Sequence, residues 1–370
     1  MPIAIQNLVV LGDSLSDIGI KREAPTGMIA RATGKMRTNE VGRYSDGKNW
    51  TDFLVEWIGG QPLIRRSKKE TEDATAPHRQ LTTNSLVLGT NIGDMYPVRY
   101  ANYAEGGAIA TSDWRPKAGA LGYLKDQVAA YIAARREMQA VVMPGADRAL
   151  YDGQTLHIIW IGLNDLITAE RPIPDSGRKK GTGIEPMIDE ITKLVNKIPG
   201  SFPTNPANEH FLLVDLPSPM VSVRFQEKAA DKGNPAVEQS VKNVAKFNDA
   251  LQYRATHWPP PGPADGPCAA PGNVTFVSMS TFMDYVSARA RDFELTELPQ
   301  EHGPVAYPGQ QDTLVPALRR ALTTSDLAHP TEAVYQLIAR QIVDVMMPKY
   351  SLGHLNQKSW PTLRPYPNVG

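Results

Sequence analysis

Two short segments place a serine and an aspartate–histidine pair where they could work together. Gly12-Asp13-Ser14-Leu15-Ser16-Asp17-Ile18-Gly19 sets a serine just past an apolar run. Asp326-Leu327-Ala328-His329-Pro330 sets an aspartate three residues before a histidine, and none of the other six histidines has one there. A serine hydroxyl becomes a useful nucleophile when a base takes its proton, and imidazole serves when a carboxylate fixes its tautomer. On a turn, this spacing lets the carboxylate accept from one ring nitrogen while the other faces the nucleophile. Each segment also has a plainer reading. Taken alone, Ser14 fits a helix cap as well as a nucleophile, and a lone Asp-x-x-His is more often a cap beside a surface histidine.

Two further segments offer hydrogen-bond donors for an anionic intermediate. In Asn102-Tyr103-Ala104-Glu105-Gly106-Gly107-Ala108 a glycine lets a backbone N–H approach a substrate closely. In Gly162-Leu163-Asn164-Asp165, Asn164 offers a neutral side-chain N–H. Convergent donors of this kind matter, since removing one such asparagine costs ~3–4 kcal/mol in a known hydrolase. Asn-Asp after a strand is otherwise an ordinary turn.

The elements that must position these residues alternate between strand and helix. Asn7–Leu11 reads as a buried parallel strand ending at Gly12, followed by strands at Val98–Ala104, Thr155–Leu163, His210–Leu216 and Asn273–Met279. Helical spacing of apolar residues covers Asn49–Ile58, Gly119–Gln139, Ile184–Ile198, Ala236–His257 and Thr331–Met347. Alternation predicts an α/β protein with a parallel sheet between helices, whose strand C-termini gather the loops that carry function. Excursions rich in Pro, Gly, Thr or charge fall at 61–97, 171–183, 259–272 and 296–325. The expectation is a single domain over 1–350 with these insertions, then an irregular tail at 351–370.

All four segments, in this order, resemble the GDSL esterases and lipases of the SGNH hydrolase superfamily, and the resemblance spans residues 7 to about 346. It implies a three-layer α/β/α sandwich with a central parallel sheet of about five strands, the flavodoxin-like SGNH hydrolase fold, plus loop insertions. It also implies a catalytic triad of Ser14 as nucleophile, His329 as general base and Asp326 orienting it. The oxyanion hole would be the Ser14 N–H, a glycine N–H and the Asn164 side chain, with Gly107 preferred and Gly106 as the alternative. Gly42-Arg43-Tyr44-Ser45-Asp46-Gly47, followed by Trp50, is similar to a segment of bacterial GDSL lipases and lipid acyltransferases. There Tyr44 and Asp46 replace the commoner Phe and Asn. Leu213–Pro217 and Lys246–Leu251 resemble the same branch. The implied activity is hydrolysis of carboxylic esters, with acyl transfer to an alcohol or carbohydrate O-deacetylation as alternatives.

Composition removes other classes. Thirty-nine basic and thirty-nine acidic residues cancel, so no global attraction draws the chain to nucleic acid. The run Arg65-Arg66-Ser67-Lys68-Lys69 is followed at once by acids and reads as a solvated loop. Cys268 is the only cysteine, which excludes an internal disulfide and a multi-cysteine zinc site. Gly42–Asn49 nearly spells a phosphate loop but has Asn49 where Ser or Thr would hold the metal. No Gly-x-Gly-x-x-Gly opens a helix after a strand, and His-Glu-x-x-His and Gly-x-Ser-x-Gly are absent. No cofactor and no metal are expected. A non-catalytic binding protein on the same fold has no need for Ser14, Asn164, Asp326 and His329 together. The expected partner is a small-molecule or lipid ester, with a peripheral membrane contact left open. The apolar run from Ile3 to Leu11 is too short for a secretory signal, so a cytoplasmic location is expected unless export is leaderless or a leader was removed.

Overall fold

The computed structural model describes the chain except residues 25–26, 28–37, 40, 64–77, 83–84, 89–95, 114–121, 142–150, 170, 175–180, 223–224, 227–228, 231–234, 260–269, 271, 296–322, 324–327, 354 and 356–370. Asp326, Cys268, the basic run 65–69 and most of the 296–325 excursion therefore lie outside the described residues.

Ile3–Ala4 (β1) pairs with Tyr350–Ser351 (β9) as a small separate ribbon. Asn7–Gly12 (β2) is buried at every position, as a strand with neighbours on both edges and helices on both faces must be. Val98–Asn102 (β5) and Thr155–Trp160 (β6) pair with it in parallel on either side. Glu209–Val214 (β7) and Val274–Val277 (β8) continue the parallel sheet beyond β6. Numbered along the chain, the five parallel strands lie in the doubly wound order 2-1-3-4-5. The first βα connection therefore starts where the chain changes direction across the sheet, the place where such folds bind ligands.

The sheet has seven strands rather than five. His78–Thr82 (β3) and Ser85–Leu88 (β4) add an antiparallel extension beyond β5. Both fall in the 61–97 stretch read as an excursion. Ser-Leu-Val-Leu is too short to show a period, and the pairing is supplied by β5 rather than by local preference.

Trp50–Trp57 (α1), Leu124–Val141 (α2), Glu185–Lys197 (α3), Pro235–Thr256 (α4), Met279–Ala288 (α5) and Glu332–Met346 (α6) are the main helices. Helices α2, α3 and α4 pack on one another in one layer, and α1, α5 and α6 in the other. The stripe Met187, Ile188, Ile191, Leu194 and Val195 buries one face of α3, the spacing that a 3.6-residue turn requires. Helix α5 corrects the expected strand end: Met279, Phe282, Met283 and Val286 form a buried helical face, and the fifth strand stops at Val277. No described helix is long and apolar enough to cross a membrane.

Candidate active site

Strands β2, β5 and β6 end side by side, and the loops leaving them carry Ser14, Gly106–Gly107 and Asn164. After Gly12 the chain turns sharply. Asp13 Oδ1 accepts from the Leu15 N–H (3.1 Å), and Asp13 O accepts from the Ser16 N–H (3.1 Å). An aspartate that accepts from two residues on closes such a turn without help from the sheet. Gln127, on α2, holds the start of the turn from behind: its Oε1 accepts from the Gly12 N–H (2.9 Å) and its Nε2 donates to Gly12 O (2.7 Å).

Asp17 ties the serine loop to the glycine loop. Its carboxylate accepts from the N–H groups of Gly19 (2.8 Å), Ile20 (2.6 Å) and Lys21 (3.1 Å), and across the gap from Gly106 (2.7 Å). Asp165 makes the second tie, accepting from the Ala110 N–H (2.8 Å) and, more loosely, from Thr111 (3.4 Å). Burial pushes the Asp17 carboxyl up to about 6, and the N–H groups offset only part of that. Burial likewise pushes Asp165 up to about 7.

Gly106 and Gly107 are not equivalent. The Gly106 N–H is committed to Asp17, and a Cβ there would overlap the Tyr44 hydroxyl, so a larger residue would have to displace the Tyr44 ring. Gly107 sits at φ 80°, a left-handed conformation that favours glycine, and is half-buried. Neither its N–H nor that of Ser14 has an acceptor among the described residues.

His329 arrives from the far end of the chain, with Nε2 2.9 Å from Ser14 Oγ. The Gly42–Gly47 segment sets it there. The Tyr44 ring lies against the imidazole, with centroids 4.8 Å apart. Asp46 Oδ1 accepts from the Glu332 N–H (2.6 Å) at the start of α6, and a Cβ on Gly47 would collide with the Glu332 side chain. Arg43, itself buried, forms a bidentate ion pair with Asp52 of α1 and donates to Ile18 O (2.9 Å) beyond the serine turn. Asp13, adjacent to Ser14, is also buried. Burial pushes it up to about 7, against the pull of the Leu15 N–H and the nearby His329 charge.

A cavity of about 200 Å³ opens beside Ser14 and His329. Leu15, Trp160, Ile167, Phe225, Met283 and Ile338 give it a largely apolar lining. Among the described residues no group of three or more His, Cys, Asp or Glu is placed to hold a metal ion. The structure brings Ser14, Gly107, Asn164 and His329 to one edge, which sequence spacing alone could not do.

The sequence matches the GDSL-like lipase/acylhydrolase family over residues 8–342. The chain belongs to that family. Membership makes it a hydrolase of the esterase or lipase kind. No curated protein matches it by sequence at a significant level. Among solved structures it is similar to a protein described as a GDSL-like lipase from Parabacteroides merdae ATCC 43184, at 14% identity and TM-score 0.38, covering 94% of this chain and 98% of that one. It is also similar to the lipase Lip_vut3 from a goat rumen metagenome, at 11% identity and TM-score 0.39, covering 95% and 99%. A third is TesA, at 13% identity and TM-score 0.35, covering 93% and 99%.

Several residues that shape this GDSL site were not singled out by sequence reasoning. Asp17, Asp165 and Gln127 work through backbone groups of other loops, so their partners are invisible in one dimension. Tyr44 and Asp46 sit in a segment that sequence marks only by its likeness to relatives, and contact with His329 and Glu332 gives that segment a physical role.

Proposed function

We propose that this hydrolase cleaves carboxylic esters through an acyl-enzyme on Ser14. The supporting observation is the 2.9 Å contact between His329 Nε2 and Ser14 Oγ, beside an apolar cavity and two backbone N–H groups that have no acceptor among the described residues. Ser14 Oγ attacks the ester carbonyl carbon as His329 takes the hydroxyl proton, with Asp326 orienting the ring and stabilising the imidazolium. The carbonyl oxygen becomes an oxyanion held by the N–H groups of Ser14 and Gly107 and by the Asn164 amide. The C–O bond to the alcohol then breaks, and the imidazolium returns the proton to the departing oxygen. Water, deprotonated by His329, attacks the acyl-enzyme and releases the acid and free Ser14.

The apolar cavity favours an acyl chain over a sugar as the group beside Ser14. Hydrolysis of p-nitrophenyl esters from acetyl to palmitoyl, with and without glycerol, tests this reading. The expected result is Ser14-dependent release of acid that improves beyond acetyl. Activity confined to acetyl would point to deacetylation, a new glycerol ester to acyl transfer, and wild-type rates in Ser14→Ala would remove the mechanism.

A further inference from the structure

Asn164 is held at both ends of its side-chain amide. Its Nδ2 donates to Ala108 O (3.1 Å), and its Oδ1 accepts from Thr168 Oγ1 (2.9 Å). The second contact lies within a local irregularity. Residues Asn164–Thr168 form a π-helical turn in which the Ala169 N–H reaches back to Asn164 O (2.7 Å). Such wide turns are rare and gather at functional sites. Both Asn164 and Thr168 line the cavity that holds Ser14 and His329.

A primary amide has one oxygen that only accepts and two N–H bonds that only donate. Ala108 O takes one of those N–H bonds, and the other has no acceptor among the described residues. Turned over, the amide would set Oδ1 against the Ala108 carbonyl and would offer an acceptor to a developing oxyanion, which repels it. The Ala108 contact alone leaves the amide free to swing about its side-chain torsions. A hydroxyl proton given to Oδ1 removes that freedom. Thr168 is itself exposed, so the hydroxyl is not needed to satisfy a buried core.

We infer that Thr168 is a positioning residue whose hydroxyl keeps the free Asn164 N–H aimed at the oxyanion, an inference that rests on the proposed role of Asn164. Thr168→Val keeps the branched shape and removes the hydroxyl, while Thr168→Ser keeps it. With p-nitrophenyl butyrate, Thr168→Val lowers kcat about tenfold and leaves KM within about twofold, as expected for one hydrogen bond felt mainly in the transition state. Thr168→Ser recovers kcat to within about threefold of wild type, since the donor is restored. In an Asn164→Ala background Thr168→Val has no further effect, because the amide it holds is gone. Full kcat in Thr168→Val, failure of Thr168→Ser to recover, or a further loss in the Asn164→Ala background each overturns the inference. If Asn164→Ala itself turns over at the wild-type rate, the oxyanion role of Asn164 falls, and Thr168 with it. If Asn164→Ala is slow while Thr168→Val is not, only the role of Thr168 falls.

Discussion

At the C-terminal ends of the parallel strands, Asp13, Asp17, Asp165 and Asp215 are buried, and the hydrogen bonds they accept come from backbone N–H groups and one serine. At the N-terminal ends, Glu209 is buried between Arg135 (2.8 Å) and His157 (2.8 Å), with all three side chains sealed from solvent. Burial dominates the first group, pushing Asp13 and Asp165 up to about 7 and Asp17 and Asp215 up to about 6. In the second, burial would raise Glu209, but the His157 hydrogen bond and the Arg135 charge hold it below its usual range. Burial also lowers His157, despite the bond to Glu209. The two ends of one sheet thus spend buried charge differently. One end uses carboxylates to bracket the backbone of the loops that carry Ser14, Gly107 and Asn164, and the other uses an ion pair to close the core.

The cation-rich end has little redundancy. Arg99, also buried, donates to Asn7 Oδ1 (2.7 Å), while Arg99 Nη2 and Arg135 Nε and Nη2 have no hydrogen-bond partner among the described residues. Glu209 is the carboxylate that balances Arg135. Glu209→Gln should therefore cost about 3–5 kcal/mol of stability, the usual result of stranding a buried charge. Turnover per folded molecule should stay near wild type, because Ser14 lies at the other end of the sheet. Denaturant unfolding beside kcat on the soluble fraction checks both halves. A stable variant, or a folded one with lost turnover, would erase the division between the two ends.

A smaller effect with a distinctive pH signature is expected at the edge that carries Ser14. A carboxylate raised on folding keeps a proton that the unfolded chain releases. The contribution of Asp13 to stability therefore falls as pH rises from 3.8 towards about 7, and is lowest above that. His157, lowered on folding, has the opposite sign: its contribution is present above 6.5 and is lost as pH falls through its folded value. Asp13→Asn keeps an oxygen for the Leu15 N–H and removes the charge. It should be more stable than wild type at pH 8, by something on the order of 1–2 kcal/mol, and the gain should shrink by pH 5. Melting temperatures of both proteins at the two pH values decide this. An advantage that is constant or grows on acidification would mean that Asp13 is not carrying a buried charge at pH 8.

Much of this architecture is legible in the chain because long-range order follows local pattern there. The five parallel strands and five of the six main helices lie within a few residues of where apolar spacing puts them. Where they end is set by caps: Asn49 and Asp52 close a capping box on α1, and Thr331 caps α6. The antiparallel strands β3 and β4 escaped because their stability comes from the β5 edge. Helix α5 escaped because Met279 extends an apolar strand without a break, although Met279, Phe282, Met283 and Val286 carry the helical spacing. In the site, Ser14, Asn164 and His329 stand out by residue type and order. The difference between the two glycines does not, since it comes from Asp17 accepting from the Gly106 N–H 89 positions away. Asp326 was expected to orient His329, and it lies outside the described residues.

The central claim is that Ser14 is a nucleophile activated by His329, and covalent labelling tests it most directly. The folded protein is treated with a fluorophosphonate, which reacts with serines activated in this way, and the intact mass and digested peptides are read by mass spectrometry. One phosphonyl group per chain is expected, on the peptide that contains Ser14. Labelling should be absent in Ser14→Ala and slowed by orders of magnitude in His329→Ala, since nucleophile and base act as a unit. An esterase-active preparation that stays unlabelled, or that carries its label on another serine, would contradict the account.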